Sequence, residues 1–195
     1  YLNSNYISAL NYYREAFTNI DKLSKTVDEQ LSINLKSAEK AFKENNFNDA
    51  IYFFDIVVSI KPDNPEYQSF YDRALVLEDV LDLYTTAIKK NNQKEFEDAR
   101  ELILRSLVLD PEYDPSINLL SEIERNILRR NFESRMTEGF VALSSLDFVS
   151  ARVLFSEAKK LYPESQEVID AISQLDQAEK DQFITNMEKE LIILE

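Results

Sequence analysis

From Tyr67 to Ile88 the apolar residues Tyr67, Phe70, Ala74, Leu77, Leu81, Tyr84 and Ile88 recur at alternating spacings of three and four. That rhythm is a heptad seam, expected of a long helix packed nearly parallel to its neighbours. Neither proline nor glycine falls between Glu66 and Asn91, so the stretch predicts one helix of about 40 Å at about 1.5 Å per residue. Ser116 to Ser145 repeats the design less regularly, through Ile117, Leu120, Ile123, Ile127, Phe132, Met136, Phe140 and Leu143. Residues 165–194 predict a third helix, through Val168, Ile172, Leu175, Phe183, Met187 and Leu191. The N-terminal stretch carries Tyr6, Leu10, Tyr13, Phe17 and Ile20, then Val27, Leu31, Leu35, Ala38 and Phe42. Nothing there forces a break, but two helices are expected rather than one of the full length.

Between the long stretches stand three short ones of a single design. Residues 47–62 read FNDAIYFFDIVVSIKP, residues 96–111 FEDARELILRSLVLDP, and residues 148–163 FVSARVLFSEAKKLYP. Phe47, Phe96 and Phe148 each precede an alanine by three residues, and each alanine (Ala50, Ala99, Ala151) precedes a proline by twelve. Alanine lets two helices approach closely, and the residues four and seven further on complete one helical face. These are Phe54 and Val57 in the first copy and Phe155 and Ala158 in the third. The second copy has Ile103 and Ser106, and is expected to be looser. The starts lie 49 and 52 residues apart, a period of the solenoid kind. The connecting segments NNFND, NNQKEFED and SSLDF are short and polar, as helix–helix turns should be.

Pro62, Pro111 and Pro163 close the copies, and Pro65 and Pro115 follow within four residues, where proline suits the first turn of a new helix. With Gly139 as the single glycine, tight hairpins between strands and barrel corners are not expected. The class is all-α.

Composition narrows the chemistry. The chain has 195 residues, 44% of them hydrophobic, enough to bury a core. It has no cysteine and no histidine, which removes disulfides, thiolate sites, the commonest general base and the commonest metal ligand. One glycine cannot build a phosphate-cradling loop. No apolar run is long enough to cross a bilayer. The chain begins at Tyr1 without a methionine and stops in ELIILE, and is read as a segment of a longer protein.

The net charge is −14, half of it in residues 164–195, which hold nine acids and two bases. Such a chain repels nucleic acid and anionic membrane surfaces. The basic cluster Arg125, Arg129, Arg130 and Arg135 is interleaved with Glu122, Glu124 and Glu133 at helical spacing, and reads as surface ion pairs. Asp110, Glu112 and Asp114 in DPEYDPS are reminiscent of calcium ligation, but the turn lacks the glycine and the distant glutamate of the twelve-residue loop. No residue is expected to be catalytic, to hold a cofactor or to bind a metal. The chain is not read as an enzyme.

These residues resemble the tetratricopeptide repeat (TPR) family, whose unit is a pair of antiparallel helices with small and aromatic residues at fixed offsets before a proline. Gly139, Phe148, Ala151, Phe155, Ala158 and Pro163 take the matching places in the third copy. Ala38, Ala41, Phe47, Ala50, Phe54, Val57 and Pro62 do so in the first. The second keeps Ala87, Phe96, Ala99 and Pro111 but has Lys90 where the family prefers a bulky apolar residue. Family repeats run about 34 residues, so the first helix of each unit is expected to be elongated. The resemblance implies a TPR-like α-solenoid of antiparallel helix pairs with unusually long helices. It divides the single domain into a flanking helix (1–31), repeats at 32–63, 64–112 and 113–163, and a C-terminal helix (164–195).

The resemblance further implies a non-catalytic scaffold that binds a peptide or helix of a protein partner in a groove lined by first helices. That lining falls on Leu35, Glu39 and Phe42, on Leu81, Tyr84 and Ile88, and on Met136, Phe140 and Leu143. The same residues also suit burial between long helices, and that reading stays open. Glu164, Glu167, Asp170, Asp176, Glu179 and Asp181 form a second surface, suited to a basic partner or simply to solvent. The Leu191, Ile192, Ile193 and Leu194 end is expected to continue into another helix. A second role stands beside the scaffold: a structural component of a multi-protein or cell-envelope complex, self-associating through its long helices.

Overall fold

The computed structural model describes the backbone of residues 2–193 and the side chains of residues 6–189. The described residues form seven α-helices and no strand: α1 Leu2–Lys43, α2 Phe47–Ile60, α3 Pro65–Asn92, α4 Phe96–Leu109, α5 Asp114–Ser144, α6 Phe148–Leu161 and α7 Gln166–Ile193. The all-α class is what the structure shows. The Leu191–Leu194 end lies outside the described side chains.

The N-terminal stretch is one helix of 42 residues where two were expected. No proline or glycine interrupts it, and its 3–4 rhythm holds phase from Tyr6 to Ala41. Thr18, Thr26 and Ser37 donate their hydroxyls to carbonyls four residues back, leaving the helix unbroken.

The hairpin turns after α1, α3 and α5 share one geometry. Asn46, Glu95 and Asp147 donate backbone N–H groups to Ala41, Lys90 and Ala142 at 2.9, 3.0 and 2.9 Å. Asn45, Lys94 and Leu146 just before them donate to carbonyls three residues back and carry φ of 58°, 63° and 59°. This is a Schellman ending, which satisfies the last helical carbonyls and normally uses glycine at the left-handed position. Asn46 and Asp147 then cap α2 and α6, accepting from the N–H groups of Asp49 and Ser150. Asn64 accepts from Glu66 and Tyr67, and Pro65 opens α3 in the first turn.

The chain divides into two compact units, residues 1–89 with 101–117, and residues 90–100 with 118–195. In the first, α1 packs on α2, and Ala38, Ala41, Ala50, Phe54 and Ala74 form the core. A second cluster joins Leu77, Val80 and Tyr113. Tyr113 donates its hydroxyl to Asn45 at 3.3 Å and meets Tyr84 edge-on. The buried stripe of α3 thus takes in Val80 and Ala87, which the seam read from the sequence omits, while Leu81, Tyr84 and Ile88 are half-buried. Ser106 is fully buried and shares a 2.8 Å hydrogen bond with the equally buried Ser116. The second copy is therefore closed by a satisfied polar pair rather than loosened.

In the second unit α6 packs on α7, around Phe132, Met136, Ala151, Phe155, Ala158, Val168, Ala171 and Leu175. Gly139 has a packing reason: a Cβ there would lie 2.5 Å from Cε1 of Phe155. Lys90 pairs with Glu95 and, at 3.4 Å, with Asp98. Asn91 donates to Glu122 at 2.8 Å and accepts from Asn126 at 3.1 Å.

Candidate partner-binding recess

Helices α1, α2 and α3 leave a recess of about 400 Å³ in the first unit. Its floor is aromatic: Phe54 from α2, stacked on Phe70 of α3 with centroids 5.8 Å apart, and Phe42 of α1 edge-on to Phe54 at 6.5 Å. Glu39, Lys43, Arg73 and Asp114 form a rim of both signs. Offset and edge-on rings present apolar faces and polar edges, a surface suited to an apolar side chain.

Arg73 holds one wall in place. Its guanidinium lies over the Phe42 ring at 5.2 Å, a cation–π contact. It donates to Asp110 at 3.0 Å, to the Glu112 carboxylate at 2.9 Å and to the Glu112 carbonyl at 3.2 Å. Asp110 is 1% exposed and also accepts from the Glu112 N–H at 3.0 Å. Both carboxylates are committed to an arginine, so DPEYDPS acts as a structural clasp. No group of three or more metal-ligating side chains occurs among the described residues.

The nine groove residues read from the sequence fall in different environments. Glu39 is exposed and Phe42 half-buried, and both line the recess. Leu35 is half-buried against the Phe54 core, and Leu81 and Tyr84 against the Leu77–Val80 cluster. Ile88 is half-buried. Met136 is 3% exposed, a core residue of the second unit that no partner can touch without unfolding. Phe140, 37% exposed, meets the Phe155 ring edge-on at 5.1 Å, and Leu143 packs on the same core. Sequence reasoning missed Phe54, Phe70, Lys43, Arg73 and Asp114 as recess residues. One signal was present, since Arg73 is the lone base between Glu66 and Ile88.

The charged surfaces are largely paired. Arg129 meets Glu133 at 2.9 Å along α5, as the spacing predicts. Arg130 instead reaches Glu97 of α4 through two hydrogen bonds of 2.8 and 2.6 Å, and lies 5.8 Å above Phe96. Those hydrogen bonds hold the Glu97 carboxyl down at about 2. Arg135 pairs with Glu138 and with Glu157 of α6, and Glu124 with Arg100. On α7, Asp176 and Glu179 both bind Arg152 of α6, at 2.8 and 2.7 Å. Asp170 and Asp181 accept from Gln166 and Gln177 one turn away. No described helix is long and apolar enough to cross a membrane.

No family model matches the chain, and no curated protein does. Among solved structures, the TPR domain of Arabidopsis OM64 is similar at TM-score 0.25 and 15% identity, covering 76% of this chain and 96% of that domain. So loose a superposition carries no inference about function.

Proposed function

We propose that the chain is a non-catalytic interaction module of the TPR kind, taking an apolar side chain of a partner peptide or helix into the Phe42–Phe54–Phe70 recess. One observation carries the reading: three aromatic rings lie at the bottom of an open recess whose rim offers both signs of charge. An apolar anchor gains by leaving water, while Glu39 and Lys43 receive polar groups beside it. The resemblance of three repeat copies to the TPR pattern supports the same reading from sequence. A net charge of −14 argues against nucleic acid as the partner.

Selection of a displayed peptide library against the whole chain tests the proposal. Binders should share an apolar anchor, and Glu39→Phe should abolish their binding while circular dichroism and melting show an intact fold. Binders indifferent to Glu39→Phe would remove the recess from the account.

A further inference from the structure

The 3–4 stripe of α1 changes character along its length without losing phase. Toward the C-terminal end Asn34, Ala38 and Ala41 are small or polar and buried. Tyr6, Leu10, Tyr13, Phe17, Ile20 and Val27 continue the stripe, large and between 38% and 71% exposed. Leu31 joins the two halves, and Ser24 is the one small residue in the exposed half. Large residues at every remaining seam position are what a helix carries when another helix covers it.

We infer that the covering element is the same segment of a second copy, packed antiparallel and in full overlap over residues 6–31. The register follows from pairing the seam end to end. Tyr6 then faces Leu31 of the second copy, Leu10 faces Val27, Phe17 faces Ile20, and Tyr13 faces Ser24, large against small. One flanking row, Ala9, Ala16, Leu23 and Gln30, is uncharged and sets Ala16 against Leu23. The other row, Ile7, Arg14, Asp21 and Asp28, sets Arg14 against Asp21, and the twofold axis makes that pair twice. A parallel, in-register pair would instead stack Tyr13 on Tyr13 and leave Ser24 opposite Ser24, with no such charge match.

Length selects α1 over the other bare stripe, and near-balanced charge lets it pair with a copy of itself. Residues 6–31 hold three bases, Arg14, Lys22 and Lys25, against four acids, Glu15, Asp21, Asp28 and Glu29. Phe183, Ile184 and Met187 of α7 are also exposed, but they span little more than one helical turn, against about seven turns for residues 6–31. The area suffices as well. Six aromatic rings from Tyr6, Tyr13 and Phe17 of two copies, at about 150–250 Å² each, approach the roughly 1,000 Å² a specific interface needs.

Sedimentation equilibrium of the whole chain reads the outcome. The expected result is a concentration-dependent dimer that Phe17→Glu converts to monomer with helicity and melting of both units unchanged. Arg14→Asp and Asp21→Arg should each weaken the dimer at least several-fold, and the double variant should restore it. A wild-type monomer, a dimer untouched by Phe17→Glu, one lost on Phe183→Glu, or failure of the double variant to recover would each overturn the inference. Glu39→Phe should leave the dimer intact, which separates this surface from the recess.

Discussion

Helices α2 and α6 are built alike, and what lies against them differs. Both have 14 residues, a side-chain N-cap (Asn46, Asp147) and three buried residues at the same offsets: Ala50, Phe54 and Val57, or Ala151, Phe155 and Ala158. Against Phe155 stands Gly139, so close that a Cβ would clash, and Phe140 covers the ring edge-on. At the equivalent places Phe54 has Ala38 and the exposed Glu39, and its ring stacks on Phe70 where Phe155 has Ala171. The shared residues build the hairpin. The residues that differ decide whether the space beside the phenylalanine is filled or open.

Breaking the shared part should cost most. Phe54→Ala and Phe155→Ala remove equally buried rings, and chemical denaturation should show a loss of about 3–5 kcal/mol for each. Gly139→Ala sharpens the contrast. It forces Phe155 to shift, at about 1–3 kcal/mol, offset by about 1 kcal/mol of helix propensity gained over glycine. Ala38→Gly on α1 instead loses that propensity, about 1 kcal/mol, and a buried methyl, about 0.8 kcal/mol. A gain in stability on Gly139→Ala, as helix propensity alone would give, would mean that the Gly139–Phe155 approach does not constrain the second unit.

The turns give a change of opposite sign. Leu146 holds φ of 59° with its side chain largely exposed. Leu146→Gly should raise the melting midpoint, with a gain of about 1 kcal/mol or less after the extra unfolded-state entropy of glycine. Asn45→Gly, at the equivalent turn of the first unit, should gain less, because asparagine tolerates this conformation and its side chain accepts from the Tyr113 hydroxyl.

The smallest effect is electrostatic. The Arg130 hydrogen bonds lower the Glu97 carboxyl from 4.5 to about 2. A group depressed on folding stabilises the protein above its unfolded value, and that contribution is lost as pH falls from 4.5 toward 2. Glu97→Gln should therefore flatten the acid limb of the stability curve in that window and leave the curve's shape near neutrality unchanged. The exposed pair is screened, so the change should be small and should shrink further in salt.

Much of the fold was legible because periodicity and punctuation report directly on helices. Ala50, Ala99 and Ala151 are fully buried, as three alanines at one offset from a proline require. Helix ends fall within a residue or two of the proline and loop signals, and α1 ran on where no signal stopped it. The recess was less legible. Glu39 and Phe42 share a face of α1, but Phe54, Phe70 and Arg73 reach the site only through packing of α1, α2 and α3. For Met136 the sequence left groove and core both open, and the structure shows core: a heptad position names a face of a helix, not whether a neighbour covers it. Likewise the α5 spacing found the Arg129 pair but not Arg130 with Glu97, which come from different helices.

Glu39 leaves open in the first unit what Phe140 fills in the second. Fluorescence titration with anilinonaphthalene sulfonate, an apolar dye, compares the wild type with Glu39→Phe directly. The expected result is a saturable component of wild-type binding that is missing in Glu39→Phe, together with a raised melting midpoint. Dye binding unchanged by Glu39→Phe, in a protein that still folds, would contradict the claim that this position controls access to the aromatic floor.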